Sequence, residues 1–250
     1  MGIIIKTSEE IALMREAGKI VAEVLQLLTN KIRPGITTAE LDEAADEYAR
    51  NRGGIPSFKG YNGFPATICV SINEEVVHGI PTYKRRLHEG EIVSLDFGVI
   101  YKGLQGDAAV TVGVGQIDQK AKSLIAVTEG ALLEGIQMVR AGNHLSDISW
   151  AIQNYVESRG FSVVRQYVGH GIGRNMHEEP QIPNFGQPGR GPVLRPGMVL
   201  ALEPMVNVGT WRTRVKADNW TVVTEDGSLS AHFEHTVLVT ADDPEILTKL

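Results

Sequence analysis

The 250-residue chain contains one cysteine, Cys69, which excludes an intrachain disulfide and the stapled secreted scaffolds that rely on one. No apolar stretch approaches the ~20 residues that a membrane-crossing helix requires. The amino-terminal MGIIIKTSEE has neither the basic region nor the cleavage site of a signal peptide, and Lys6 stands where a myristoylation site carries a hydroxyl residue. Positive charge is scarce: 24 Lys and Arg against 30 Asp and Glu leave −6, with YKRR at 83–86 the one short basic run. Phosphate and anionic lipid are held by clustered cations, so neither stable nucleic-acid binding nor membrane binding is expected. What remains, 42% hydrophobic and 22% charged residues, is an ordinary globular composition for a soluble, cytoplasmic protein with material for one large core or two smaller ones.

Helical signals come first. Thr7 and Glu10 have capping-box spacing, and Ile11, Met14, Ile20, Val21, Val24 and Leu28 follow at helical periodicity. A second helix is predicted from Thr37, with Glu40 closing its box, to about Arg52 before Gly53. Strand-like runs ATICVSI (66–72), EIVSLDFGVI (91–100) and AAVTVGV (108–114) come next. The second half repeats the order, with helical patterns at about 118–140 and 145–159 and then FSVVRQYV, MVLALEPMV, WTVV and EHTVLVT. GITTAELDEAADEYARNRG (35–53) aligns without a gap on GNHLSDISWAIQNYVESRG (142–160), and the offset of 107 also carries Gly90 onto Gly197, Leu95 onto Leu202 and Asp96 onto Glu203. A constant register predicts an internal duplication: one domain over 1–250, built from pseudo-symmetric αα-then-β halves of about 1–115 and 116–250. Asp96 and Glu203 then face each other across the pseudo-twofold axis.

The acidic residues sit where acids are expensive. A turn between Tyr101 and Lys102 places Asp96 opposite Asp107, with Cβ atoms roughly 4.5–5.5 Å apart. Such a pair can share metal ions ~3.5–4 Å apart; the alternative is one turn cap and one solvated acid. Glu203 and Glu234 lie in apolar runs expected to be core strands, where an ionised group needs a partner, unless each faces outward from an edge. In GHGIGRNMHEEP (169–180) the glycines oppose a helix, so His170 and His177 are predicted on strand and loop. Asp96, Asp107, Glu203 and Glu234 carry −4, which two divalent cations balance with His170 as a neutral ligand. Oxygen donors with one imidazole suit Mn, Fe or Co, with Zn also acceptable. Cys69 is assigned to a pocket wall.

GYNGFPATICVSINEEVVHGIP, SLDFGVIYKGLQGDAAVT, GHGIGRNMHEEP, LEPMVN and SAHFEHTVLVT resemble, in order and spacing, the motifs of type I methionine aminopeptidases over nearly the whole chain. The resemblance implies an α+β pita-bread fold around an antiparallel sheet. It also implies two divalent metal ions on Asp96, Asp107, His170, Glu203 and Glu234, with Asp107 and Glu234 bridging. His78 and His177 are implied to contact substrate and steady the tetrahedral intermediate, with Glu203 moving the proton. Tyr61, Phe64, Cys69, Met176 and Trp220 are implied to line a methionine pocket, where aromatic and sulfur groups suit a thioether; core packing is the alternative for each. Phe58, Phe64 and Met176 stand where many relatives carry cysteine, tyrosine and phenylalanine, which alters the pocket's polarity and shape.

The implied activity is metal-dependent removal of the initiator methionine from nascent chains and peptides with a small second residue. It implies work near the ribosome by a monomer. Only 31 positions separate Glu203 from Glu234, too few for the helical insert of type II enzymes, and the early first helix leaves no amino-terminal zinc-binding extension. The compact bacterial form is therefore expected. X-Pro aminopeptidases or prolidases, and a catalytically silent pita-bread binding protein, are the alternatives. Met1 precedes the small Gly2, so excision of the chain's own Met1 is also expected.

Overall fold

The computed structural model describes residues 2–249; Met1, whose excision is expected above, lies outside them. Four helices form two pairs: α1 (Ser8–Lys31) with α2 (Thr38–Asn51), and α3 (Gln119–Gln137) with α4 (Leu145–Glu157). Both predicted capping boxes are present, so the first two helices start where their Thr-x-x-Glu signals place them. Among the described residues no helix is long and apolar enough to cross a membrane.

The strands that carry the site are β1 (Cys69–Ile72), β2 (Ile92–Tyr101), β3 (Leu104–Gly113), β4 (Gly169–Gly171), β5 (Glu178–Ile182), β6 (Val199–Leu202) and β7 (His235–Leu238). In the first half β2 lies between β1 and β3, all antiparallel. In the second, β6 lies between β4 and β7, again antiparallel, with β5 outside β4. Ile92 and Val199, 107 residues apart, open the two central strands. Each half buries its own core: α1 and α2 pack on Ile72, Leu95 and Phe97, and α3 and α4 on Leu200, Leu202 and Val237. The halves meet where Ala109 on β3 exchanges backbone hydrogen bonds of 3.3 and 2.9 Å with Glu234. Thr236 Oγ1 adds a bond to the Asp107 carbonyl at 2.7 Å and accepts from its N–H at 3.1 Å.

Several expectations change. The β2–β3 turn is Lys102–Gly103, both at positive φ (48° and 83°), one residue later than predicted, so Asp96 pairs with Ala109 and Asp107 with Gly98. Gly103 tolerates that backbone and so draws the turn to itself. Asp96 and Asp107 are therefore diagonal neighbours on one face, not directly opposed. Secondly, MVLALEPMV is not one strand: β6 stops at Leu202, and the next strand is Met205–Asn207. Pro204 has no N–H for a ladder, which leaves Glu203 at the break. Likewise Ser230–His232 pairs with Met205–Asn207 while β7 pairs with β6, so Glu234 sits where the chain changes sheets. Thirdly, β3 and β7 separate β2 from β6, so Asp96 and Glu203 flank Asp107 and Glu234 rather than facing each other directly. Of FSVVRQYV, only Ser162–Val163 is strand.

Candidate active site

Asp107 comes from β3, and Glu234 from the position just ahead of β7 that bridges to Ala109, at the junction of the halves. His170 joins them from β4, and one ligand atom from each of the three lies within 4.8 Å of the others. Asp96 is on the same face of the sheet as Asp107, and Glu203 Oε1 lies 3.6 Å from His170 Nε2. Asp96, Asp107, His170 and Glu234 are buried and Glu203 is largely so. All five residues expected as ligands thus converge, and with the three pocket residues Phe64, Cys69 and Met176, also buried, they line one cleft together with Tyr61, His78, His177 and Trp220.

The cluster is electrostatically unfinished. Asp96 Oδ1, Asp107 Oδ1 and Glu234 Oε1 are buried without a hydrogen-bond partner, although native proteins rarely leave such atoms orphaned. Burial pushes the Asp96 carboxyl up to about 7. Burial, and then the charges of the neighbouring acids, raises Asp107, Glu203 and Glu234 well above the carboxylate range. Burial lowers His170 to about 3, so it is neutral. Its Nδ1 bonds the Gly171 carbonyl at 2.9 Å; with the proton there, the Nε2 lone pair is free to ligate. Unsatisfied oxygens, crowded negative charge and a presented imidazole are together what divalent cations complete.

Glycine serves this loop by close approach. A Cβ at Gly169 would run into the Ala201 carbonyl, and one at Gly171 into the Glu179 carbonyl. His170 can therefore be held between two backbones only if its neighbours lack side chains.

His78 and His177 approach the cluster from other elements. His78 sits at φ 61°, a left-handed conformation that is strained for a bulky residue. Its ring stands edge-on to Tyr167 and Trp220, with centroids 6.0 and 6.3 Å away. Burial lowers it to about 4. His177 is also lowered by burial, lies with its ring tilted 57° and its centroid 4.3 Å from that of His170, and is bonded at Nδ1 by the Tyr61 hydroxyl at 2.7 Å. With Tyr61 donating, the His177 proton is on Nε2, free to donate in turn.

Sequence reasoning missed Asn62, a lining residue at positive φ beside Tyr61, and Tyr167, which buttresses His78. It also missed His232, 1% exposed and 3.8 Å from Glu234. Two signals were present: GYNG has turn composition, and His232 lies two residues before Glu234. Phe58, noted only as a departure, lines the cleft as well.

Fold and site define the class: a pita-bread protein with a buried carboxylate–imidazole cluster suited to divalent metal. Residues 12–241 match metallopeptidase family M24. The chain is 56% identical to the methionine aminopeptidase of Clostridium acetobutylicum over 246 residues, 98% of each chain. The crystal structure of methionine aminopeptidase from Thermotoga maritima superposes with a TM-score of 0.98 at 52% identity, covering 100% of both chains. Prolidase from Pyrococcus furiosus shares the fold alone, at TM-score 0.80 and 21% identity over 99% of this chain and 66% of that one. The chain belongs to metallopeptidase family M24 and, within it, to the methionine aminopeptidases. Its donor cluster fits the divalent metal use of a metallopeptidase family.

Proposed function

We propose that the chain removes the amino-terminal methionine from nascent proteins and peptides whose second residue is small. The observation that carries this reading is the cleft itself, whose inner end holds the acidic cluster and whose wall is Phe64, Cys69, Met176 and Trp220. A methionine side chain finds polarizable surface there while its amino group and first carbonyl reach the cluster. His78 and His177, beside that carbonyl, crowd the following residue and favour a small one.

Asp96, Asp107, His170, Glu203 and Glu234 would hold two divalent ions drawn from Mn, Fe, Co or Zn. When bound, the ions would supply Lewis acidity and lower the pKa of water for attack on the first peptide bond. Glu203, whose carboxyl is raised by burial and by the charges of Asp96 and Asp107, takes up a proton and returns it to the leaving amine. His177 donates from Nε2, and neutral His78 donates from the opposite wall, to the developing oxyanion. The working unit is a cytoplasmic monomer acting near the ribosome, one catalytic domain made of halves 1–115 and 116–250.

The test is release of free methionine from Met-Gly-Met-Met and Met-Lys-Met-Met by metal-stripped protein, with Mn, Co, Fe and Zn restored singly. Cleavage of the first peptide alone, dependent on added metal, is expected. Failure on both with every ion overturns the reading, and cleavage of X-Pro peptides instead would replace it.

A further inference from the structure

The residues before α1 have no part in the chemistry above, yet one of them reaches the loop that carries His177. Lys6 Nζ lies 2.7 Å from Glu178 Oε2, and the two side chains are 3% and 5% exposed. Glu178 directly follows His177, and its other oxygen accepts the Asn175 N–H at 3.1 Å. The Lys6 N–H is anchored to the Gly197 carbonyl at 2.8 Å, just ahead of β6. A Cβ at Gly173 would strike the Lys6 side chain, so this glycine makes room for the lysine. Arg174 and Glu10 pair at 3.0 Å, a second tie between this loop and the amino-terminal residues.

We propose that Lys6 is a positioning residue: its buried ion pair with Glu178 straps the 173–178 loop and thereby sets where His177 and Met176 stand in the cleft. A buried ion pair is weak evidence of net stabilisation, but removing one partner strands the other charge. Without Lys6, Glu178 must turn toward water and release the Asn175 N–H, and His177 moves with it. The metal cluster, anchored on β2, β3, β4 and at the strand breaks beside β6 and β7, is untouched. The kinetic part of this inference rests on the proposed aminopeptidase activity; the structural part does not.

The experiment compares wild type, Lys6→Met and a stability control, Leu28→Ala, which truncates a fully buried α1 residue away from the loop. For Lys6→Met, kcat/KM on Met-Gly-Met-Met falls about tenfold or more, because a misplaced contact group costs transition-state binding steeply. kcat moves more than KM, as loss of an interaction made in the transition state requires, and calorimetric Mn binding is unchanged. The His177 ring signal in histidine-labelled NMR shifts or broadens, while Leu28→Ala lowers Tm and leaves kinetics and ring signal in place. The strap is overturned by an unmoved His177 signal, by kcat/KM at the wild-type value, by parallel loss of metal affinity, or by the same kinetic loss in Leu28→Ala. If wild type cleaves no methionine peptide, the proposed activity fails while the NMR comparison still decides the strap.

Discussion

Glu203 shows at the scale of one residue how function and stability oppose each other here. Its carboxyl is raised above the ordinary 4.5, so the ionised form costs the metal-free fold stability at neutral pH. Glu203→Gln keeps the shape and removes the charge. Its Tm without metal is expected above that of wild type, while turnover falls about 10²–10⁴-fold because the proposed proton acceptor is gone. Scanning calorimetry of stripped protein and a methionine-release assay at measured metal content check the two halves of this expectation. Turnover near wild type with metal retained refutes the assigned role. The acids and His170 were legible in the sequence because a carboxylate in an apolar run, or a histidine among glycines, is costly on its face. Tyr167 and His232 were not, because what gives them meaning is a contact: Tyr167 meets His78, 89 positions away in the chain.

Among elements, what is local was readable and what is relational was not. Thr37 and Glu40 lie three residues apart and cap α2 with bonds of 2.8 and 3.2 Å, as their spacing predicts. The β2–β3 register depends on which two residues take positive φ; the turn came one residue later than the sequence suggested, which moves each strand partner by two. Glu203 and Glu234 were read into continuous strands because apolar patterning does not show where a chain changes sheets. The α2 cap gives an element-scale prediction. Thr37→Ala removes the side-chain acceptor for the Glu40 N–H and costs about 1 kcal/mol. In a chain of this size that is a Tm drop of roughly 2–4 °C. Because no α2 residue lines the cleft, kcat/KM should not change; thermal unfolding with parallel kinetics checks this, and a large kinetic loss would tie α2 directly to the site.

At the scale of the whole molecule, the two halves place four carboxylates at their junction, and this sets how stability depends on pH and metal. Without metal, Asp96 titrates near 7 in the fold against an ordinary 3.8, and its three acidic neighbours are raised as well. The folded state therefore retains protons that the unfolded chain releases, and metal-free stability falls as pH rises from about 4 through 7. The buried histidines work the other way. His78, His170, His232 and His235, lowered to about 4, 3, 3 and 4, take no proton in the fold that the unfolded chain takes below its ordinary 6.5, so they remove stability as pH falls from there toward 4. Divalent ions compete with protons for the same carboxylates and stabilise only as far as they bind the folded state. The rise in Tm on adding Mn to stripped protein is accordingly expected to be small at pH 5 and to grow as pH rises to 8. Calorimetry at pH 5, 6, 7 and 8 with and without Mn measures this directly. An increment that stayed flat across the series would mean that the ion binds outside the junction carboxylates, and the metal centre would have to be sought elsewhere.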